Sequence, residues 1–304
     1  MKTLIIILVI ILFNGGIPIK LFASDSIMTY IYNAPESALD KRYIYHWDIL
    51  RTALEKTKQK YGNYRMIPSE VMTEKRQAYE LENATGKLTI MCLGSTPDLE
   101  KRLHPIRIPV DKNLNGYELF LIRKEDKDRF KNIKTLDDLK KYTFGLGFGW
   151  IDTDILRANG IKVVTASNYD GLFEMLINKR FDIALRSAGE ILWEEETRKD
   201  KLPDLMIEEN ILIYYPLPMY FWFSKTEDGR RLSTRVEEGM KMMINDGTFD
   251  EIFAKYENNK IAKLNLKNRR IIKLENPFMD PNTPIKEKKL WFDPKNYILP
   301  IKAK

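Results

Sequence analysis

Two stretches of this 304-residue chain carry side chains suited to holding a small polar molecule. The first is Gly145-x-Gly147-x-Gly149-Trp150, between a strand-like run and the start of a helix. A helix beginning at Asp152 or Thr153 offers backbone N–H groups and the Thr153 hydroxyl to a carboxylate, and Trp150 is placed to stack on the ligand or close over it. Asp152 repels a carboxylate and equally fits an N-cap. The glycine spacing is not that of a dinucleotide fingerprint. The second stretch is Arg186, at the end of the strand-like Phe181–Leu185 run, followed by Ser187 and Glu190. A guanidinium suits a carboxylate because its fork binds both oxygens. Glu190 reads both as a ligand contact and as the last residue of an S-x-x-E helix start. A basic run, Lys101, Arg102 and Arg107, reads from its residues alone as a solvated loop.

Other chemistries find no support. Two histidines, His46 and His104, are too few and too scattered for a zinc site, and no metal or other cofactor is implied. The one cysteine, Cys92, sits in an apolar run and reads as a buried thiol. Neither a serine triad nor a histidine converges on the glycine-rich turn.

The N-terminus sets the expected compartment. Lys2, the apolar run Leu4–Phe13, then Asn14, Gly15, Gly16 and Pro18 give the layout of a signal peptide, cut near Ala23. Ten apolar residues reach only about 15 Å as a helix, against a hydrocarbon core of about 30 Å. The expectation is a periplasmic protein without stable membrane insertion. An exported chain has little reason to meet nucleic acid, so the net charge of +7 reads as solubility and attraction of anions.

The elements that must position these residues alternate. Ile27–Tyr32, Tyr64–Ile67, Leu88–Leu93 and Tyr117–Ile122 are strand-like. Trp47, Leu50, Leu54 and Thr57 fall at helical spacing, and Thr73–Ala84 is helix-compatible. A second unit follows: a short helix over Thr135–Lys141, a strand over Thr143–Gly147, a helix from Asp152 or Thr153 to Asn159, and a strand over Lys162–Thr165. Ser167 with Asp170 then opens a helix with apolar Leu172, Phe173, Leu176 and Ile177. Leu212–Ser224, broken by Pro216 and Pro218, returns the chain to the first unit. Two helices close that unit, one carrying Leu232, Val236, Met240 and Met243, the next starting at Thr248 with Glu251 in box position. Strands alternating with helices imply a largely parallel sheet in an α/β protein. The proline-rich tail packs over the surface through Phe278, Leu290, Trp291 and Phe292.

Asn245-Asp246-Gly247-Thr248-Phe249 through Lys255-Tyr256, Gly116–Arg123 with Ile133–Leu139, and Tyr169–Asp182 together resemble the extracellular solute-binding family 3, the amino-acid-type binding proteins of ABC transporters. Pro105-Ile106-Arg107-Ile108-Pro109, Gly149-Trp150-x-Asp152-Thr153 and Trp291-Phe292-Asp293-Pro294 are similar to a divergent branch of it. The resemblance implies a periplasmic binding protein-like II fold, two α/β lobes joined by crossover strands, with a ligand in the cleft. Laid on the chain, it gives a signal peptide over 1–23, lobe 1 over 24–122 and 219–262, lobe 2 over 123–218, and a tail over 263–304. It puts a carboxylate-clamping Arg at Arg102 or Arg107 and a threonine at Thr96. Two departures stand out. Ser187 occupies the position of the Asp that holds a ligand's amino group, and Glu118 stands where the branch often has Arg.

The leading expectation is capture of a small, carboxylate-bearing solute by Arg102 or Arg107 on one lobe and Trp150, Thr153, Arg186 and Glu190 on the other. A monomer would deliver it to an ABC permease or present it to a sensor kinase. The competing readings are a dehydratase-like enzyme, with Glu190 or Asp152 as acid or base, and a receptor-like scaffold without a ligand.

Overall fold

The computed structural model describes residues 27–35 and 43–297, so the expected signal peptide lies outside the described residues. In chain order the elements are β1 (Met28–Tyr32), α1 (Ile44–Lys56), α2 (Lys58–Tyr61), β2 (Tyr64–Pro68), α3 (Glu74–Glu82), β3 (Met91–Gly94), α4 (Pro97–Arg102), β4 (His104–Ile106), β5 (Tyr117–Arg123), α5 (Leu136–Leu139), β6 (Thr143–Gly147), α6 (Ile151–Ala158), β7 (Lys162–Ala166), α7 (Tyr169–Ile177), β8 (Ile183–Ser187), α8 (Ile191–Arg198), β9 (Leu205–Ile207), β10 (Ile211–Tyr214), β11 (Met219–Phe223), α9 (Glu227–Asp246), α10 (Thr248–Lys263) and β12 (Arg270–Lys273).

These strands form two assemblies. In the first, β1 and β2 pair in parallel, Tyr32 bridges Ile90, and β3, β11 and β4 make an antiparallel sheet. Helix α1 packs along α9, with Leu50 and Leu54 facing Val236, Met240 and Met243 in one buried core. The apolar residues recur every three to four positions, so one stripe of each helix can be buried. Arg235 is fully buried on α9, and its guanidinium donates to the carbonyls of Leu54 and Gly62 at the ends of α1 and α2. Those carbonyls have no partner within their own helices, so the buried charge is satisfied where acceptors are in surplus.

The second assembly is a larger sheet in the order β12-β10-β5-β8-β6-β7, with β9 added to β5. Strands β8, β6 and β7 run parallel, and β5 runs antiparallel to β8 and β10. Every residue of β5 and β8 is buried, so neither strand leaves a face to solvent. A strand covered on both faces reads as continuously apolar.

Up to α10 the chain passes between the assemblies twice, after β4 through residues 107–116 and after β10 through residues 215–218, and β12 takes it to the larger sheet a third time. Strand β5, counted by sequence with the first unit, therefore sits in the centre of the larger sheet. Past α10 the chain adds β12 to the sheet edge and then crosses both connections. Asn276 Nδ2 donates to the Pro216 carbonyl, the Phe292 N–H donates to the Lys112 carbonyl, and the Tyr117 hydroxyl donates to the Phe292 carbonyl. Phe292 is buried there against Tyr117, Phe253 and Tyr297.

Three helix starts differ from the sequence reading. Helix α7 is capped by the Asn168 side chain, which accepts from the Gly171 N–H, rather than by Ser167. Glu251 closes no box on α10, whose N-cap is Gly247 without a side-chain cap bond. Helix α6 starts after Trp150, also without one, so Asp152 lies within its first turn.

Candidate functional site

Where the two assemblies face each other lies a cleft of about 130 Å³. The first assembly contributes Leu93, Gly94 and Thr96 after β3, and Met219 at the start of β11. The larger sheet contributes Glu118, Arg186 and Ser187 from β5 and β8, with Glu190 before α8 and Trp150 and Asp152 at the start of α6.

The glycine-rich turn shapes one wall. Its first two glycines make room for packing rather than cradling a phosphate. A Cβ at Gly145 would run into the ring of Phe181, and a Cβ at Gly147 into the indole of Trp150. The glycines thus let two aromatic rings lie against the backbone of β6, and the second ring is brought to the cleft. The guanidinium of Arg186 sits over that indole, 4.6 Å from its centroid.

Arg186 is already held. Its Nε donates to both oxygens of Glu194 at 2.8 and 2.9 Å, and its Nη2 donates to Glu190 and Glu194 at 2.6 Å each. Tyr169 adds a hydroxyl to Glu194 at 2.6 Å. Burial opposes the charge on Arg186, but Glu194 and Glu190 outweigh it and hold the side chain firmly protonated. Glu190 is therefore the partner of Arg186 and not the end of a capping box: its side chain makes no cap bond, and the Ser187 hydroxyl is buried with no partner.

Two carboxyl groups complete the polar floor. Asp152 accepts from the hydroxyl of Tyr215 at 2.6 Å. Burial raises its pKa above the usual carboxylate value, although the Tyr215 bond works against the rise. Glu118 is only 5% exposed and, among the described residues, has no hydrogen-bond or ion-pair partner. Burial, and then the nearby Asp152, push its carboxyl well above the usual range; Arg186 pulls the other way, while Glu190 and Glu194 add to the rise. Glu118 lies directly across the strand pair from Ser187, so two buried polar groups without partners are neighbours on one wall.

The remaining sequence candidates lie elsewhere or are occupied. Arg102 pairs with Glu82 and Asp98, both at 2.6 Å, and does not line the cleft. Arg107 grips Glu100 through two bonds of 2.8 and 3.1 Å, reaches Asp280 of the tail at 3.3 Å, and also lies off the cleft. The clamp expected at one of them is thus corrected: local carboxylates have already claimed both. Thr153 is 3% exposed, its N–H donates to the Trp150 carbonyl, and its hydroxyl turns back to the Gly147 carbonyl. It does not line the cleft. Thr96 lines the cleft, but its hydroxyl caps α4 by accepting from the Leu99 N–H. Of the six candidate site residues, Trp150, Arg186 and Glu190 are brought together.

The sequence did not single out Glu118 as a ligand contact, although its departure from the resembling branch was a signal. Among the described residues there is no group of His, Cys, Asp and Glu arranged to hold a metal ion, and no helix long and apolar enough to cross a membrane.

No protein-family model matches the chain, and no curated protein matches it in sequence. Solved structures do match in shape. One is an ancestral arginine-binding protein bound to arginine, 18% identical, with a TM-score of 0.54 over 75% of this chain and 97% of that one. Another is the amino acid ABC transporter substrate-binding protein AbpA of Streptococcus pneumoniae bound to L-arginine, 13% identical, with a TM-score of 0.54 over 78% and 97%. A third is an ancestral amino-acid-binding protein, a precursor of cyclohexadienyl dehydratase, 16% identical, with a TM-score of 0.54 over 76% and 95%. The chain has the two-lobed α/β fold of the periplasmic binding proteins, shared with amino-acid-binding proteins from which its sequence is far removed.

Proposed function

We propose that the protein is a periplasmic solute-binding protein that captures a small polar molecule in the cleft, as its structural neighbours capture amino acids. One observation carries the reading: on the cleft wall the Ser187 hydroxyl is buried with no partner, and beside it Glu118, 5% exposed, makes no hydrogen bond or ion pair among the described residues. A buried polar group left unsatisfied costs on the order of 1–3 kcal/mol. A ligand that bonds to them recovers that energy on lobe closure. Trp150, Arg186 and Glu190 frame the ligand, and a monomer hands it to an ABC permease or shows it to a sensor kinase.

A thermal-shift screen of the purified protein against amines, amino acids, dicarboxylates, peptides and sugars tests this. A true ligand at a hundred times its dissociation constant adds about 2.7 kcal/mol of stability. If no class moves the melting temperature, solute capture is wrong.

A second reading has a specific observation behind it. A buried carboxyl with a raised pKa, beside a second carboxyl, is what a general acid requires, and Glu118 with Asp152 meets that description. A dehydratase-like enzyme would consume the molecule that shifts the melting point, whereas a binding protein returns it unchanged.

A further inference from the structure

We infer that the ligand of the cleft is a small cation, carrying a primary amine or guanidinium group and no carboxylate, seated on Glu118 with Asp152 beside it. The inference rests on the capture reading above and names its ligand class.

Consider first what could hold a carboxylate. Among the described residues that line the cleft, Arg186 is the only Arg or Lys. A guanidinium grips a carboxylate side-on through Nε and Nη2, or end-on through Nη1 and Nη2. Both grips need Nη2, and here Nη2 is bonded to Glu190 and Glu194 at 2.6 Å while Nε is closed on Glu194. The other two candidate arginines are tied to carboxylates outside the cleft. The start of α6 offers no threonine hydroxyl, and it presents Asp152 to the cleft.

Now consider what could hold a cation. Among the described residues, Glu118 and Asp152 lie at the cleft floor, and the one arginine there, Arg186, is held by Glu190 and Glu194. Glu118 is the group whose own needs are unmet. An ammonium donates up to three hydrogen bonds, which suits Glu118, Asp152 and the acceptor lone pairs of Ser187. Trp150 and Tyr43 supply aromatic walls, surfaces that favour a cation over an anion. The space is small against the several hundred Å³ of a drug-sized pocket, which limits the ligand to a short molecule.

The test is a calorimetric titration of the purified protein with three probes of one length: 1,4-diaminobutane, 4-aminobutanoate and butanedioate. We expect the diamine to bind, the dicarboxylate to give no heat, and the amino acid to bind at least tenfold more weakly than the diamine. In Glu118→Gln the diamine should lose at least a hundredfold in affinity, with a cooperative melt confirming that the variant is folded. If butanedioate or 4-aminobutanoate binds more tightly than the diamine, the charge assignment is wrong while solute capture stands. An unchanged diamine affinity in Glu118→Gln overturns the seat. If neither these probes nor any class in the wider screen binds, capture fails and the inference fails with it. The probe order on the unsubstituted protein decides the charge class whatever becomes of the variant.

Discussion

Tyr117 and Glu118 are neighbours on β5 and meet opposite treatment. Successive side chains of a strand point to opposite faces, so the pair samples the two sides of the crossover. On the tail side, the Tyr117 hydroxyl donates to the Phe292 carbonyl, its ring lies 4.7 Å from that of Tyr214, and Phe292 is buried beneath. On the cleft side, Glu118 is as deeply buried but makes no side-chain bond among the described residues. One side is finished by the chain itself. The other is left unfinished, and that is the mark of a place completed by something else. Arg186 sharpens the lesson: it lines the cleft, yet its Nε and Nη2 are already engaged by Glu190 and Glu194, so those groups belong energetically with the tail side.

The contrast can be broken at several points. The largest effect should come from Arg186→Met, which takes from Glu194, 1% exposed on its side chain, the guanidinium paired with it. Losing one partner of a buried ion pair costs about 3–5 kcal/mol, measured as the shift in urea unfolding. A loss below about 1 kcal/mol would mean that the cluster is no internal brace. Next, Phe292→Ala should cost about 3 kcal/mol by opening a cavity under the tail, while leaving diamine affinity within a few-fold. A comparable loss of affinity would show the two sides to be coupled. Gly147→Ala drives a methyl into the Trp150 indole and should cost about 1–3 kcal/mol. Unlike Phe292→Ala, it should also weaken ligand binding, because Trp150 is a cleft wall.

The smallest effect is on pH dependence. The folded state holds the Glu118 proton above the usual carboxylate range, whereas the unfolded chain releases it near pH 4.3. Between those two values the folded state binds more protons, so stability falls as pH rises. Glu118→Gln removes that slope. The variant should therefore gain on the native protein as pH is raised from about 4.3, most clearly in thermal melts at matched pH without ligand. A gap that stays constant with pH would mean Glu118 ionises as freely folded as unfolded.

Much of the frame was legible in the sequence because its signals are local. Leu50 and Leu54, or Leu232, Val236 and Met240, repeat at the helical period, and the order of strands and helices follows the turns between them. The site was less legible because it depends on which charge finds which partner across the fold. Arg102 and Arg107 have the right chemistry for a carboxylate, but Glu82, Asp98 and Glu100 reach them first. Thr153 and Glu190 fit the spacing of caps, yet one turns to the Gly147 carbonyl and the other to Arg186. Glu118 looked like one polar residue in an apolar strand, and only the register of β5 against β8 places it beside Ser187 at the cleft.

The central claim is that a ligand completes Glu118. The most direct measurement is the proton balance of 1,4-diaminobutane binding, obtained by calorimetry in two buffers of different ionisation enthalpy. The diamine enters fully charged, so any proton released comes from the protein. A cation seated on Glu118 should expel its proton wherever the free protein holds it, so a pH series should show release from the native protein with binding tightening as pH rises, and no such release from Glu118→Gln. Binding with no proton release, or with the same release from both proteins, would contradict the account.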